Sequence, residues 1–365
     1  MVINLPERAK AKWAEAIAAR DPVTKLKLLK EFYSSFPKHK GTEKLEVSIK
    51  KQIKSLEEEI ERSRSRRRGS TRLEWVVKKE GMVQLAILGS LHTSIRFFKF
   101  VTNRDINIYE VLHAPVVGVL EGEGIQFQVI LTPFDESIGV EKQERIMNLI
   151  RNVDIIIVVL GSEGTMYLQR VFTWLEEHNI DIRPSNTFVE IIHTSSGGLR
   201  VVNYAKALSD WEVIKFLSSY KIRNAIVKIY GEATLEDVES ALFGRVVKKA
   251  LFIPLDERIR TELLSLIDEE RIITSVADRA SLANSILQKS GYIRVYTKSL
   301  GDAVAEKPLL MKKGARVIDV AEKVHKDLVK FFKYAKVWRE GSLQGVRVGE
   351  NFLLEDKDIV EIHSS

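Results

Sequence analysis

Four short apolar runs constrain this chain more than anything else in it: "VQLAILG" at 83–89, "GIQFQVILT" at 124–132, "DIIIVVLG" at 154–161 and "KALFIPL" at 249–255. Apolar residues follow one another in these runs, the habit of strands buried on both faces in a parallel sheet covered by helices. Several are flanked by turn residues, and amphipathic helical stretches lie between some of them. This texture predicts an α/β fold on a mainly parallel, doubly wound sheet. The most apolar run, at 155–161, falls far short of the ~18 residues of a membrane helix. The opening "MVINLPERAKAKW" is charged almost at once and holds no signal-peptide core. A cytoplasmic protein without membrane contact is expected. The 365 residues allow two or three domains, and the absence of cysteine excludes disulfides and cysteine-ligated metals.

Residues 1–70 predict a basic helical domain. "ERAKAKWAEAIAAR" follows Pro6 and is a strong helix former. Asp21 and Pro22 look like the N-cap and first residue of a second helix, "VTKLKLLKEFYSSF". In "TEKLEVSIKKQIKSLEEEIERSR", Leu45, Ile49, Ile53, Leu56 and Ile60 fall three or four apart, one apolar stripe on a long helix. The stripe needs a partner, and the preceding helices are nearest, so a hairpin or small bundle is expected. These 70 residues hold 18 Lys and Arg against 10 Asp and Glu, while the net charge of the chain is +7, so its positive excess is local. It is densest in Arg62, Arg64, Arg66, Arg67 and Arg68. That cluster reads either as a charged linker or as a phosphate-contacting patch, because guanidinium forks match phosphate oxygens.

Residues 71–290 carry the predicted sheet, with an insertion of its own αβ character at about 187–245. Within it, "SSGG" at 195–198 reads as a hairpin turn in preference to an anion nest. Residues 291–365 have a ββαββ pattern, the mark of a small separate domain. There, "VIDVAEKVHKDLVKFFKYAKVW" is expected to be an amphipathic helix running into a strand, with Val320, Val324 and Leu328 on its core face. Lys323, Lys326, Lys330 and Lys333 step by three, four and three and would share another face. That face is either an ordinary solvated one or a basic surface for RNA. The seven histidines show no metal-binding spacing.

After "VQLAIL", Gly89 stands where the first glycine of a phosphate loop would. Such a loop uses glycines to bring amides to the phosphates, a lysine to neutralise them and a Ser or Thr to hold Mg²⁺. The residues at the corresponding positions are Thr93, Ser94, Ile95 and Arg96, with no second glycine and no lysine. Arg96 offers a positive charge on a longer, wider fork than an ammonium.

The order of segments resembles archaeal relatives of the developmentally regulated GTP-binding proteins, in the wider Obg group of GTPases. The resemblance is carried by "NLPERAKAKW", "FPKHKGTEKL", "VVKKEG", "VTN" at 101–103 and "YEVLHAPVVGVL" at 109–120. "SYKIRNAIVKI" at 219–229 resembles the inserted subdomain of that family. "YIRVYTK", "GARVIDVAEKVHKDLVKFFKYAKVW" and "VGENFLLEDKDIVEI" resemble its TGS domain, a ubiquitin-like β-grasp module. The resemblance implies a P-loop-type G-domain at 71–290 and a TGS domain at 291–365. It also implies that the nucleotide motifs are degenerate. No threonine stands in the switch segment near Leu112–Val116. In the place of Asp-x-Pro-Gly stand Leu131, Pro133 and Phe134. For the guanine-reading motif only Asp256 or a register-shifted neighbour could stand in, and of Ser-Ala only Ser275 is present. The implied function is a ribosome- or RNA-associated pseudo-GTPase acting as a scaffold in translation, with no catalytic residues, no metal and no cofactor. RNA contacts are assigned to the arginine cluster and to Lys323, Lys326, Lys330 and Lys333. The alternatives are an active GTPase with an atypical site, taking GTP and Mg²⁺ with help from Arg96, and an adaptor binding a protein partner through the TGS domain.

Overall fold

The computed structural model describes all residues except 1–4, 20, 39–41, 67–74, 76, 81–82, 123, 183–187, 204–207, 275, 300–302, 340–341, 343 and 365. Three helices come first: α1 (Glu7–Ala18), α2 (Pro22–Ser35) and α3 (Glu43–Arg66). Next come β1 (Val83–Leu88), α4 (Leu91–Thr102), α5 (Ile108–His113), β2 (Val116–Gly122), β3 (Ile125–Leu131), α6 (Val140–Asn152), β4 (Ile155–Leu160) and α7 (Gly164–Glu177). They are followed by β5 (Ile180–Asp181), β6 (Phe188–His193), β7 (Leu199–Asn203), α8 (Asp210–Ser219), β8 (Ala225–Tyr230), α9 (Leu235–Leu242) and β9 (Val246–Val247). The chain closes with β10 (Lys249–Pro254), α10 (Glu257–Leu264), α11 (Arg279–Ser290), β11 (Tyr292–Thr297), β12 (Leu309–Lys312), α12 (Val317–Val324), α13 (Lys326–Lys330), β13 (Phe332–Trp338), β14 (Val346–Val348) and β15 (Asp358–Ser364). Two compact units result: Met1–Glu74 with Arg170–Lys248, and Trp75–Gln169 with Lys249–Ser365. No described helix is long and apolar enough to cross a membrane.

In the first unit the expected second helix starts as its sequence requires: Pro22 is the first residue of α2, and Asp21 accepts from the Thr24 amide at 2.9 Å. The stripe on α3 does find the preceding helices, but the insertion covers it as well. Leu45 and Ile49 share one core with Trp13 and Phe32 and with Val213, Leu217, Tyr220, Val227 and Phe243 of the insertion. Ser48 Oγ and Gln52 Nε2 both donate to the Phe243 carbonyl, at 3.2 and 3.0 Å. Long-range packing of this kind leaves no mark on local periodicity. The inserted sheet has the order β6-β8-β7, with β8 antiparallel to β6 and parallel to β7. Residues 195–198 are therefore not a hairpin turn, since β6 and β7 do not pair. They pass across the end of β8, where the Ala225 amide donates to the Gly198 carbonyl at 3.1 Å.

The second unit holds two sheets. The first has the order β10-β4-β1-β3-β2. Its four parallel strands β10, β4, β1 and β3 are the four apolar runs. β1 and β4 are buried at every residue. The edge strand β2 pairs antiparallel with β3 over seven residues, Val116 opposite Leu131 to Gly122 opposite Ile125. The fold is thus α/β on a mainly parallel sheet.

The other sheet has the order β12-β11-β15-β13-β14, with β11 and β15 parallel and the remaining pairs antiparallel. Val317 and Val320 of α12 pack with Val295, Ala335, Val337 and Val360 on one of its faces, giving a β-grasp arrangement. The expected helix does run into a strand, β13, but it is broken into two pieces on the way. His325 is extended (φ −163, ψ 137), ending α12, and its side chain accepts from the Asp327 amide to start α13. Lys333 then lies in β13. Lys323, Lys326, Lys330 and Lys333 accordingly do not share one helical face.

Candidate functional site

In an open parallel sheet, ligands bind beyond the carboxyl ends of the strands. In this chain that position is the step from β1 to α4. Only Gly89 and Ser90 separate Leu88 from Leu91, so strand runs almost directly into helix and no amide-lined loop intervenes. Gly89 is there for close approach: a Cβ on it would lie 3.0 Å from the Val159 carbonyl oxygen. The Gly89 carbonyl accepts the Phe134 amide at 3.0 Å, which ties the loop after β3 to the loop after β1.

The N-terminus of α4 carries unpaired amides and the positive end of a helix dipole, the feature that attracts phosphate elsewhere. Here two carboxylates of the chain itself stand there. Asp135 Oδ2 accepts from the Leu91 amide at 3.3 Å. Glu163 Oε1 accepts from the Thr93 hydroxyl at 3.0 Å and from the Ser90 hydroxyl. Asp135 is itself held by the Ser137 amide (3.0 Å) and hydroxyl (2.6 Å). Burial pushes both carboxyls up. For Asp135 the Ser137 hydroxyl and amide and the Leu91 amide outweigh it, and the carboxyl falls below its ordinary value. For Glu163 the Ser90 hydroxyl leads the groups that do the same. Both are ionised at neutral pH. Gly161 leaves room for this: a Cβ there would meet Glu163 Oε2 and Thr93 Oγ1, each at 2.7 Å.

The remaining positions singled out from sequence fall around this closure. Ser94 is fully buried and its hydroxyl donates to the Leu91 carbonyl at 3.2 Å. Ile95 is half-buried, and Arg96 is exposed in the second turn of α4. Leu131 is 3% exposed where the resemblance would require a Mg²⁺-contacting acid. The next residue, Thr132, donates to the Ile87 carbonyl through both amide and hydroxyl at 3.0 Å. Pro133 is buried, and the Phe134 carbonyl accepts the Tyr167 hydroxyl at 3.0 Å with the two rings 6.2 Å apart. Asp256 caps α10, accepting from the Ile259 amide at 2.9 Å. Ser275 lies outside the described residues. The switch segment is helix α5 followed by edge strand β2. Arg104 pins it by donating to the Val117 carbonyl (2.9 Å) and to Glu110 (3.1 Å). Negative charge of the chain itself thus stands at the helix end where a phosphate would need amides. Among the described residues no group of three or more His, Asp or Glu is placed to hold a metal. Sequence reasoning missed Asp135 and Glu163. The available signal was an acidic residue in the loop after each of β3 and β4, the loops that border this crevice.

The residues assigned to RNA belong to different units. Arg62, Arg64 and Arg66 end α3, while Arg67 and Arg68 lie outside the described residues. Lys323 Nζ donates to the Leu310 carbonyl at 2.8 Å. Burial of that end lowers its pKa, with Asp154 acting the other way. Lys330 pairs with Asp327 at 3.3 Å, Lys326 begins α13, and Lys333 is exposed.

Residues 293–364 match the TGS domain model. Over 362 residues the chain is 27% identical to a GTP-binding protein of Methanocaldococcus jannaschii, covering 92% of this chain and 91% of that protein. It is 24% identical to a developmentally regulated GTP-binding protein 2 homologue of Dictyostelium discoideum, over 93% of this chain and 98% of the other. Of solved structures, a GTP-binding protein from Pyrococcus horikoshii OT3 aligns at 14% identity and a TM-score of 0.41, over 78% of this chain and all of that one. Over nearly its whole length the chain is thus similar to GTP-binding proteins of the developmentally regulated group, and it carries a C-terminal match to the TGS domain.

Proposed function

We propose that this chain is a pseudo-GTPase, a G-domain retained as scaffold, that associates with RNA or the ribosome in translation. The observation that carries the first half is the pair Asp135 and Glu163 at the N-terminus of α4. A triphosphate brought there meets two ionised carboxylates in place of a lysine and a cradle of amides. The shortened β1–α4 step and the buried Leu131 support the same reading. The RNA half is supported by the local positive excess of residues 1–70 and by the TGS domain, and its contacts would be sensitive to salt.

Calorimetric titration with GTP and GDP in the presence of Mg²⁺ tests the first half. No heat of binding is expected, and micromolar affinity would establish the GTPase reading in its place. Co-sedimentation with ribosomes at two salt concentrations tests the second. Association at low salt that fades at high salt is expected. No association at low salt would leave the adaptor reading, with a protein partner on the TGS domain.

A further inference from the structure

The face of the C-terminal sheet turned away from α12 carries rings and cations in rows. Core-facing positions are taken by Val295, Ala335, Val337 and Val360, so the alternate residues project from the other face. The register sets them abreast. Tyr296, Ile359 and Trp338 form one row, Lys298, Glu361, Lys336 and Arg347 the next, and His363 with Tyr334 the third. Rows follow one another about 7 Å apart along the strands.

The side chains are organised. Arg347 lies 3.9 Å from the centroid of the Tyr334 ring, which stacks on His363 from the neighbouring strand at 4.3 Å and 13°. Lys298 Nζ sits 5.1 Å from the Trp338 ring. Charge is distributed unevenly over the domain. Arg294 pairs with Asp356, and Arg339 pairs with Asp358 and Glu355. Among the described residues Lys298, Lys336 and Arg347 have no ion pair. The one acid in their row, Glu361, is 4% exposed and accepts from His363 Nε2 at 2.7 Å. Three cations without an ion pair, against one buried carboxylate, leave the row net positive between two rows of rings, which is complementary to a polyanion that also offers flat apolar faces.

We propose that this face binds single-stranded RNA. Phosphates lie along Lys298, Lys336 and Arg347, and about two or three bases pack against Trp338 and against the rim of the Arg347–Tyr334–His363 stack, which Tyr334 holds together. A duplex keeps its base faces stacked internally and would use the cations alone. The inference rests on the RNA half of the proposed function, and it moves the contact from the lysines of 323–333 to the open face of the sheet.

The test uses the full chain with a fluorescent single-stranded RNA, the same sequence as a duplex, and polyglutamate as competitor, at two salt concentrations. The Lys336→Ala, Arg347→Ala double variant should bind single strands at least about tenfold more weakly, with a salt slope smaller by about 1.4. Tyr334→Leu should lose about tenfold with its salt slope unchanged, since stacking is lost and charge is kept. If that variant fails to fold, quenching of Trp338 emission on RNA binding, assigned with Trp338→Phe, reports the same contact. Wild-type binding that both variants retain would overturn this inference and leave the RNA reading standing. Equal affinity for duplex, or equal displacement by polyglutamate, would overturn the single-strand assignment. No binding of any RNA at low salt would remove the RNA reading itself, and this face with it.

Discussion

Replacing Asp135 and Glu163 together by alanine removes the internal anions from α4 and tests whether they occupy a phosphate position. Asp135 bonds one amide, Glu163 two hydroxyls, and both face the partial positive charge of the helix end. Asp135 is half-buried and Glu163 exposed, so solvent screening holds each to about 0.5–1 kcal/mol. The double variant should then be about 1–2 kcal/mol less stable in urea at neutral pH. Both carboxyls are lowered in the folded protein, so their stabilisation is complete above their unfolded values of 3.8 and 4.5. It is lost as pH falls through the folded values. The gap between wild type and variant should therefore close below about pH 4. The second arm compares phosphate with chloride at matched ionic strength. Once the amides are released, phosphate at ten times its dissociation constant should restore about 1.4 kcal/mol to the variant, while wild type gains nothing. Equal stabilisation of both proteins by phosphate, or none in the variant, would refute the reasoning.

Other contacts give three further outcomes. Arg339→Ala leaves the fully buried Asp358 without its bidentate partner and should cost about 3–5 kcal/mol in urea; Asp358→Asn, which leaves only a half-exposed arginine, should cost clearly less. Leu131→Asp restores the acid of the resembled motif at a site 3% exposed; it should cost about 3 kcal/mol or more and bring no GTP binding in calorimetry. Lys323→Ala should leave RNA affinity and its salt dependence unchanged in the same binding assay, because that ammonium is committed to the Leu310 carbonyl.

Much of the frame was legible because local pattern and buried environment agree. All four apolar runs are the parallel strands of one sheet, and Asp21-Pro22 opens a helix where cap chemistry requires one. What escaped was set by partners distant in sequence. β2 forms because β3 offers seven residues of antiparallel pairing, although "VVGVLEG" holds two glycines and a glutamate. The lysines of 323–333 have flawless helical spacing, yet His325 adopts an extended backbone and breaks the helix. Spacing specifies a face only if the helix continues. The absence of a phosphate-loop lysine was visible from residues 89–96. The carboxylates standing in that place were not, because they come from loops 44 and 70 residues away.

A protein that gives up a bound nucleotide loses more than activity. The ligand satisfies the amides at the start of the first helix, and without it those donors need another acceptor. Asp135 supplies one to the Leu91 amide from within the chain, and Glu163 holds the Ser90 and Thr93 hydroxyls beside it. The same substitution bears on motion. A GTPase switch moves because its segments are held by the γ-phosphate and Mg²⁺ and released on hydrolysis. In this chain the corresponding segment is held by contacts that involve no ligand. They are a capping box between Asn107 and Glu110, Arg104 on the Val117 carbonyl, and the full β2–β3 pairing. A ligand shifts a conformational equilibrium only through differential affinity for its two states. If the phosphate position is closed, as proposed, nucleotide has no state to prefer. On the proposed reading the G-domain presents its surfaces in one conformation, so hydrogen exchange across 104–122 should be the same with and without GTP and Mg²⁺. Protection gained there on adding nucleotide would mean that the switch still operates.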